Sequence, residues 1–374
     1  MIRRALSGAS LAAVALAAAC GSDSPTLVQP GPPTGIVVLD GFIQPGYTLV
    51  GDTGTATTKI NLGSTTEFDA GGFSLLRDTL LAVSSRGAGD LLYITDVKSG
   101  AVRRVQLPSK SNPGRARLFT GTGGNTLIAA ALRDSGSIAL VTIAAGNATS
   151  TRIANAGNCP TDVFKYGTDT WIVDANANCK VNYTVQGDVR LIRVPAMGTT
   201  RDTLVLTGLR GSGAGAIVQG DVAYVSAGGD ASFASFPYTL IASGAIAKVD
   251  LKNRRVLLTK PMPTGTYGAG VKLGLDGFLY ASLYENLSTF TNRVVKLRTD
   301  DLSFVSNGTT SWLNLTNSSG AAVTCGSAMA DALGRLHCIA NGTGSVTSLI
   351  VFNAGYVETR RVTAGQGGVD MALR

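Results

Sequence analysis

Four oxygen-bearing residues, Asp162, Asp174, Asn176 and Glu285, stand at or near the ends of apolar runs, where carboxylate and amide oxygens can converge on a Ca²⁺ ion. Turn formation is the competing use of Asp and Asn at such places. His337 is the sole histidine, so a Ser-His-Asp triad would depend on it. It aligns with Tyr280 of an equivalent segment, LHCIAN against LYASL, which makes it a packed strand residue. The glycine clusters GGNTL (123–127) and GSGAG (211–215) have no helix behind them to supply an N-terminal dipole, so they read as turns and not as phosphate loops. No cofactor is called for, Ca²⁺ being the one metal these side chains could take, and no catalytic residue can be assigned.

Aromatic side chains are the second group with chemical use. Three segments, 174–188, 227–244 and 284–292, present Tyr183, Phe233, Phe236, Tyr238, Tyr284 and Phe290 among Asn, Ser and Asp. Rigid rings bury much area at small entropic cost, so long loops carrying them are candidate recognition elements. Folding back over neighbouring strand edges is the alternative fate of such rings.

These residues are positioned by a repeat. GAGVKLGLDGFLYASL (268–283) is an alternating strand, an Asp-Gly turn and a second alternating strand, the period-2 pattern of a β-hairpin. Echoes recur roughly every 45 to 55 residues, the spacing of repeated hairpin units in a propeller. Inner hairpins fall at 73–85, 116–132, 162–175, 215–228, 271–283 and 327–341. Outer pairs fall at 90–107, 137–154, 188–206, 245–259, 292–305 and 348–364. Pairing each inner hairpin with the outer pair after it predicts six four-stranded blades. GIVVLDGF, GYTLVGD and TTKINLG near the N-terminus supply three strands of a seventh, and GVDMALR at the C-terminus supplies its missing first strand. An all-β, seven-bladed β-propeller over 35–374 is therefore expected, its ring closed by terminal strands that leave no open edge. Six blades would result if one terminal piece packed outside.

Such repeats, LDGFLYAS being the clearest, resemble those of NHL, YVTN and related propellers, and no WD dipeptide punctuates them as in the WD40 branch. The Asp, Asn and Glu positions above resemble the acidic and amide ligands of gluconolactonase-type propellers, although their order and number depart from that quartet.

Four cysteines lie in this body. Cys325 and Cys338 flank the turn near Asp331 to Gly334 symmetrically, and Cys159 and Cys179 stand at one end of the third blade. Bridges Cys159–Cys179 and Cys325–Cys338 are expected, each worth roughly 3 kcal/mol by loop closure. A four-thiolate metal site lacks the paired C-x-x-C spacing it would need.

Arg3 and Arg4, the apolar run 5–19 and LAAAC ending at Cys20 resemble a bacterial lipoprotein signal. That resemblance implies cleavage after Ala19 and lipidation of Cys20. Ala17 stands where Leu is commoner. Residues 20–34, rich in Ser, Pro and Gly, then read as a flexible tether. The net charge of +8 falls to +6 without the two arginines, and no Lys/Arg cluster interleaves with aromatics, which excludes nucleic acid as a partner. The expected function is that of an exported, membrane-anchored binding or scaffold protein at the cell envelope, facing the periplasm or cell surface. Its partner would be a protein, an envelope component or a glycan. A lactonase-type metal-dependent hydrolase and a structural accessory subunit of a membrane complex are the alternatives.

Overall fold

A computed structural model describes residues 35–40, 46–51, 57–62, 72–76, 78–84, 90–120, 126–144, 147–196, 200–211, 213–289, 291–341 and 346–374. The signal segment, Cys20, the tether and Phe290 lie outside the described residues. Seven four-stranded antiparallel sheets form a seven-bladed propeller, with a further two-stranded sheet in the third blade. The innermost strands begin at Gly72, Pro113, Pro160, Gly215, Tyr267, Ser327 and Gly368.

Alternation explains the ring. A blade strand is covered on both faces, so it reads as a continuous apolar run whose successive side chains serve different neighbours. In Thr79–Ser84, Leu80 and Ala82 pack with Val37, Leu39 and Tyr47 of the blade on one side. Leu81 and Val83 pack with Ile128 and Ala130 of the blade on the other. Each such leucine contributes about 1.5–3 kcal/mol of burial, and slipping the register by one residue would exchange the two interfaces.

Closure follows the terminal pairing anticipated above. Gly368–Leu373 is the inner strand of the blade whose outer strands are Gly35–Asp40, Gly46–Gly51 and Thr57–Asn61. Ile36 stands opposite Leu373 and Val38 opposite Met371. The Arg374 amide donates to the Gly35 carbonyl at 2.9 Å, and its guanidinium reaches Asp78 of the first blade at 2.8 Å. The six-bladed arrangement is not adopted.

Both disulfides form as paired in the sequence. Cys159–Cys179 and Cys325–Cys338 each join α-carbons 5.7 Å apart. The Asp276-Gly277 turn is stiffened by its own strand neighbours. Gly277 takes φ +81°, a conformation costly for residues with a Cβ. The Asp276 carboxylate accepts from the Tyr280 hydroxyl at 2.7 Å and the Lys296 ammonium at 2.9 Å. One blade on, Asp331 is used in the same way.

Candidate functional site

In each blade the second strand ends on the face where the chain also crosses to the next inner strand. This face carries the sequence-predicted aromatics that fall within the described residues, and the fourth blade changes their setting. The segment 227–244, read as a long loop, is mostly strand. Val222–Ser232 and Thr239–Asp250 run as an 11- and a 12-residue hairpin whose connection is only 233–238. Glycines disguised it. A Cβ on Gly229 would lie 2.3 Å from the Ala242 oxygen, and one on Gly244 2.6 Å from the Ala227 oxygen. The glycines thus permit close strand approach at the root of a projecting arm.

At the arm's tip, Phe233 packs edge-to-face on Tyr238 with centroids 5.2 Å apart, and Phe236 does so on Tyr238 at 5.6 Å. Phe233 also meets Tyr267 at 5.5 Å. Tyr267 pairs in register with Tyr284 across the first two strands of the fifth blade. Phe233, Phe236, Tyr238 and Tyr284 therefore join in one patch, completed by Tyr267, which sequence reasoning missed. Its signal was its place opposite Tyr284 in the hairpin. Phe236 remains 66% exposed and Phe233 42% exposed. Edge-to-face pairs are worth about 0.5–1.5 kcal/mol beyond burial, so the rings are fixed before any ligand arrives. Burial raises the Tyr284 hydroxyl pKa. Tyr183 sits apart, half-buried between the second and third blades. Its ring faces the Arg133 guanidinium at 5.9 Å and its hydroxyl accepts from Asn112 at 2.7 Å.

Each of the four oxygen-bearing candidates is engaged by protein partners, and the Asn176 backbone amide itself donates to the Asp174 carboxylate at 3.2 Å. Asp162 lies on the third blade's inner strand and accepts from Arg117 at 2.7 and 3.0 Å, Arg115 at 3.2 Å and the Ala216 amide at 3.0 Å. Burial pushes its carboxyl up, but the two guanidiniums and that amide outweigh it and hold the pKa below the usual range. Asp174 accepts from the Cys159 amide at 2.8 Å and from Arg190 Nε at 2.8 Å. Asn176 holds the Asp188 carbonyl at 3.1 Å, and Glu285 pairs with Arg293 at 2.9 Å. Among the described residues no three His, Cys, Asp or Glu side chains gather as a metal site.

Asp40 occupies in the closing blade the place Asp174 holds in the third, but with poorer company. It is fully buried against Gly365 and accepts from Thr48 Oγ1 at 3.3 Å, while its Oδ1 lacks a partner among the described residues. Burial raises its pKa to about 6, with Lys59, Thr48 and the Gln366 backbone pulling it back only in part. His337 is fully buried, its Nε2 2.9 Å from Asp331, whose carboxylate also takes Arg335. Burial depresses the imidazole pKa. The residue braces the sixth blade's turn, as Tyr280 braces the fifth's.

Inner strands line the central channel with a charged group. Arg115 and Arg117 of the second blade reach Asp162, and Arg117 continues to the Ala216 carbonyl at 2.7 Å. Lys272 of the fifth blade pairs with Asp370 of the closing blade, and Ser327 donates to the same carboxylate at 3.1 Å. Burial lowers the Lys272 pKa, Asp370 opposes, and nearby Arg115 lowers it further. These contacts tie together blades distant in sequence. At the channel mouth, beside the root of the arm, lies a cavity of about 110 Å³ lined in part by Arg115, Thr161, Gly213, Gly215 and Gly270.

No family model matches the chain, and no curated protein matches it. Solved structures resemble it in fold. A candidate 6-phosphogluconolactonase from Bacteroides uniformis is 13% identical with a TM-score of 0.57, over 92% of this chain and 100% of that one. A second candidate 6-phosphogluconolactonase, from Bacteroides fragilis, is 12% identical with a TM-score of 0.56, over 92% and 99%. A protein from Lactobacillus plantarum is 14% identical with a TM-score of 0.53, over 91% and 99%. At these identities the likeness shows a shared propeller fold.

Proposed function

We propose that this chain is an exported, lipid-anchored β-propeller that binds a partner at the cell envelope, through the aromatic arm of its fourth blade and without covalent chemistry. One observation carries the reading. Phe233 and Phe236 stay exposed at the tip of a long hairpin while edge-to-face contacts with Tyr238 and Tyr267 hold them in place. A preset aromatic surface suits a sugar face or an apolar side chain, because little ring freedom is lost on binding.

Export is supported by the LAAAC segment and by two disulfides, which persist in oxidising compartments. Gly35 begins a second strand, whereas the arm extends from the end of one, so Gly35 and the arm lie on opposite faces. Fifteen tether residues reach at most about 50 Å. Kinship with NHL- or YVTN-type propellers belongs to the same proposal, resting on the LDGFLYAS-type repeat.

A lactonase reading is favoured by the names of two structural neighbours. It would require a metal or a base that the engaged Asp162, Asp174 and Glu285 do not offer as they stand.

The test uses the chain lacking residues 1–34, incubated with purified peptidoglycan sacculi and with solubilised envelope protein. Retention on either that disappears in a Phe233→Ser/Phe236→Ser double variant supports the reading. Equal retention of both proteins, retention of neither, or turnover of a gluconolactone overturns it.

A further inference from the structure

We propose that the channel mouth is a second ligand site, separate from the arm, that takes a small organic monocarboxylate. The argument begins with charge. Arg115, Arg117 and Lys272 form one electrostatically connected group with Asp162 and Asp370. Arg115 and Arg133 are the charged residues that line the cavity among the described residues, and two guanidiniums at a half-enclosed place attract an anion.

Arg115 is the cation with capacity to spare. A guanidinium has five N–H donors, and among the described residues Arg115 makes one hydrogen bond, from Nη1 to Asp162 at 3.2 Å. Arg117, in contrast, spends Nε and Nη2 on Asp162 and the Ala216 carbonyl. The Arg115 side chain is 28% exposed and lines the cavity. Its head lies close over the backbone of Gly215, where a Cβ would stand 3.4 Å from Nη1.

Shape supplies the second argument. The cavity holds about 110 Å³, room for three or four waters at about 30 Å³ each and so for an anion of acetate to pyruvate size. Two glycines keep it open. A Cβ on Gly213 or on Gly270 would meet no atom within 4 Å, and neither residue takes a positive φ. Both glycines line the cavity at exposed positions, so a larger side chain at either has room to enter its opening.

Geometry and charge together select the ligand. A carboxylate presents two coplanar oxygens that match the guanidinium fork of Arg115.

The experiment measures thermal unfolding of the chain lacking residues 1–34 against rising acetate, pyruvate, phosphate and chloride at constant ionic strength. Acetate or pyruvate should raise the midpoint in a saturable way, chloride and phosphate less so. Arg115→Gln should weaken the carboxylate at least about tenfold, as loss of a charge-assisted contact does. Gly270→Leu should abolish binding by filling the cavity. If Gly270→Leu does not fold, Arg115→Gln decides alone. No carboxylate shift, tighter binding of phosphate than of pyruvate, or unchanged affinity in Arg115→Gln overturns the proposal. Failure here leaves the arm reading intact, since no residue is shared.

Discussion

Replacing Asp40 with Asn should stabilise the propeller at neutral pH and leave it nearly unchanged in acid. The Asp40 carboxyl is fully buried and its pKa stands near 6 against an ordinary 3.8. Below about pH 4 the group is neutral in both folded and unfolded chains. Between about pH 4 and 6 the unfolded chain gives up this proton while the folded one keeps it, so stability falls as pH rises. Above about pH 6 both states are ionised and the full penalty stands. A shift of about 2 units corresponds to about 3 kcal/mol. Asparagine has the same shape and no charge, so the variant escapes the penalty. Urea unfolding of both proteins at about pH 4 and pH 8 gives the difference of differences, in which every other titrating group cancels. The variant should gain little at the lower pH and about 3 kcal/mol at the higher. Lys59→Met should act in the opposite direction at pH 8, because that ammonium is the main charge drawing the carboxyl down. A stability difference that does not change with pH, or an Asn variant weaker than the parent at pH 8, refutes the reasoning and means that the ionised carboxylate is satisfied where it lies.

Other perturbations have equally definite outcomes. Asp162→Ala should cost about 3–5 kcal/mol by leaving Arg115 and Arg117 crowded without their counter-charge, seen as a lower urea midpoint with unchanged far-ultraviolet circular dichroism. Cys325→Ser with Cys338→Ser should cost roughly 3 kcal/mol, and a reducing agent should then produce a smaller loss than in the parent. Phe236→Ser, at an exposed tip, should move the thermal midpoint by no more than about 0.5 kcal/mol's worth, a check that the binding test reads recognition and not unfolding. Removal of residues 368–374 strips the inner strand from the closing blade and should yield an aggregating chain in size-exclusion chromatography.

Legibility in the sequence followed the range of the interactions. Blade strands were readable because two-sided burial writes itself into runs such as TLLAV, and the cysteine pairs because each pair lies at one end of a single blade, although the ladder sets Cys338 opposite Ala328 and Cys325 reaches it from just before the strand. The terminal closure was readable from a blade lacking one strand and a strand lacking its blade. The arm was misjudged because Gly228, Gly229 and Gly244 punctuate a strand as they would a loop, and only the tight crossing of Gly229 past Ala242 explains them. The channel group was invisible for a different reason. Arg117 and Asp162 are 45 residues apart, and Lys272 and Asp370 still further, brought together by ring curvature that no local pattern encodes. Asp40 and Asp174 look alike in sequence, and only their neighbours distinguish a satisfied carboxylate from an unsatisfied one.

The junction between Gly35–Asp40 and Gly368–Leu373 also sets a timetable. On a ribosome the first three strands of the closing blade emerge before the other six blades, and their inner partner emerges after them. At about 5–20 residues per second the wait spans roughly 15 to 70 s, during which Ile36, Val38 and Leu39 offer an unpaired apolar edge. The ring cannot be completed blade by blade in the order of synthesis. Its final latch is thrown only once residues 368–373 have emerged, so the N-terminal strands wait for their partner through the making of six other blades.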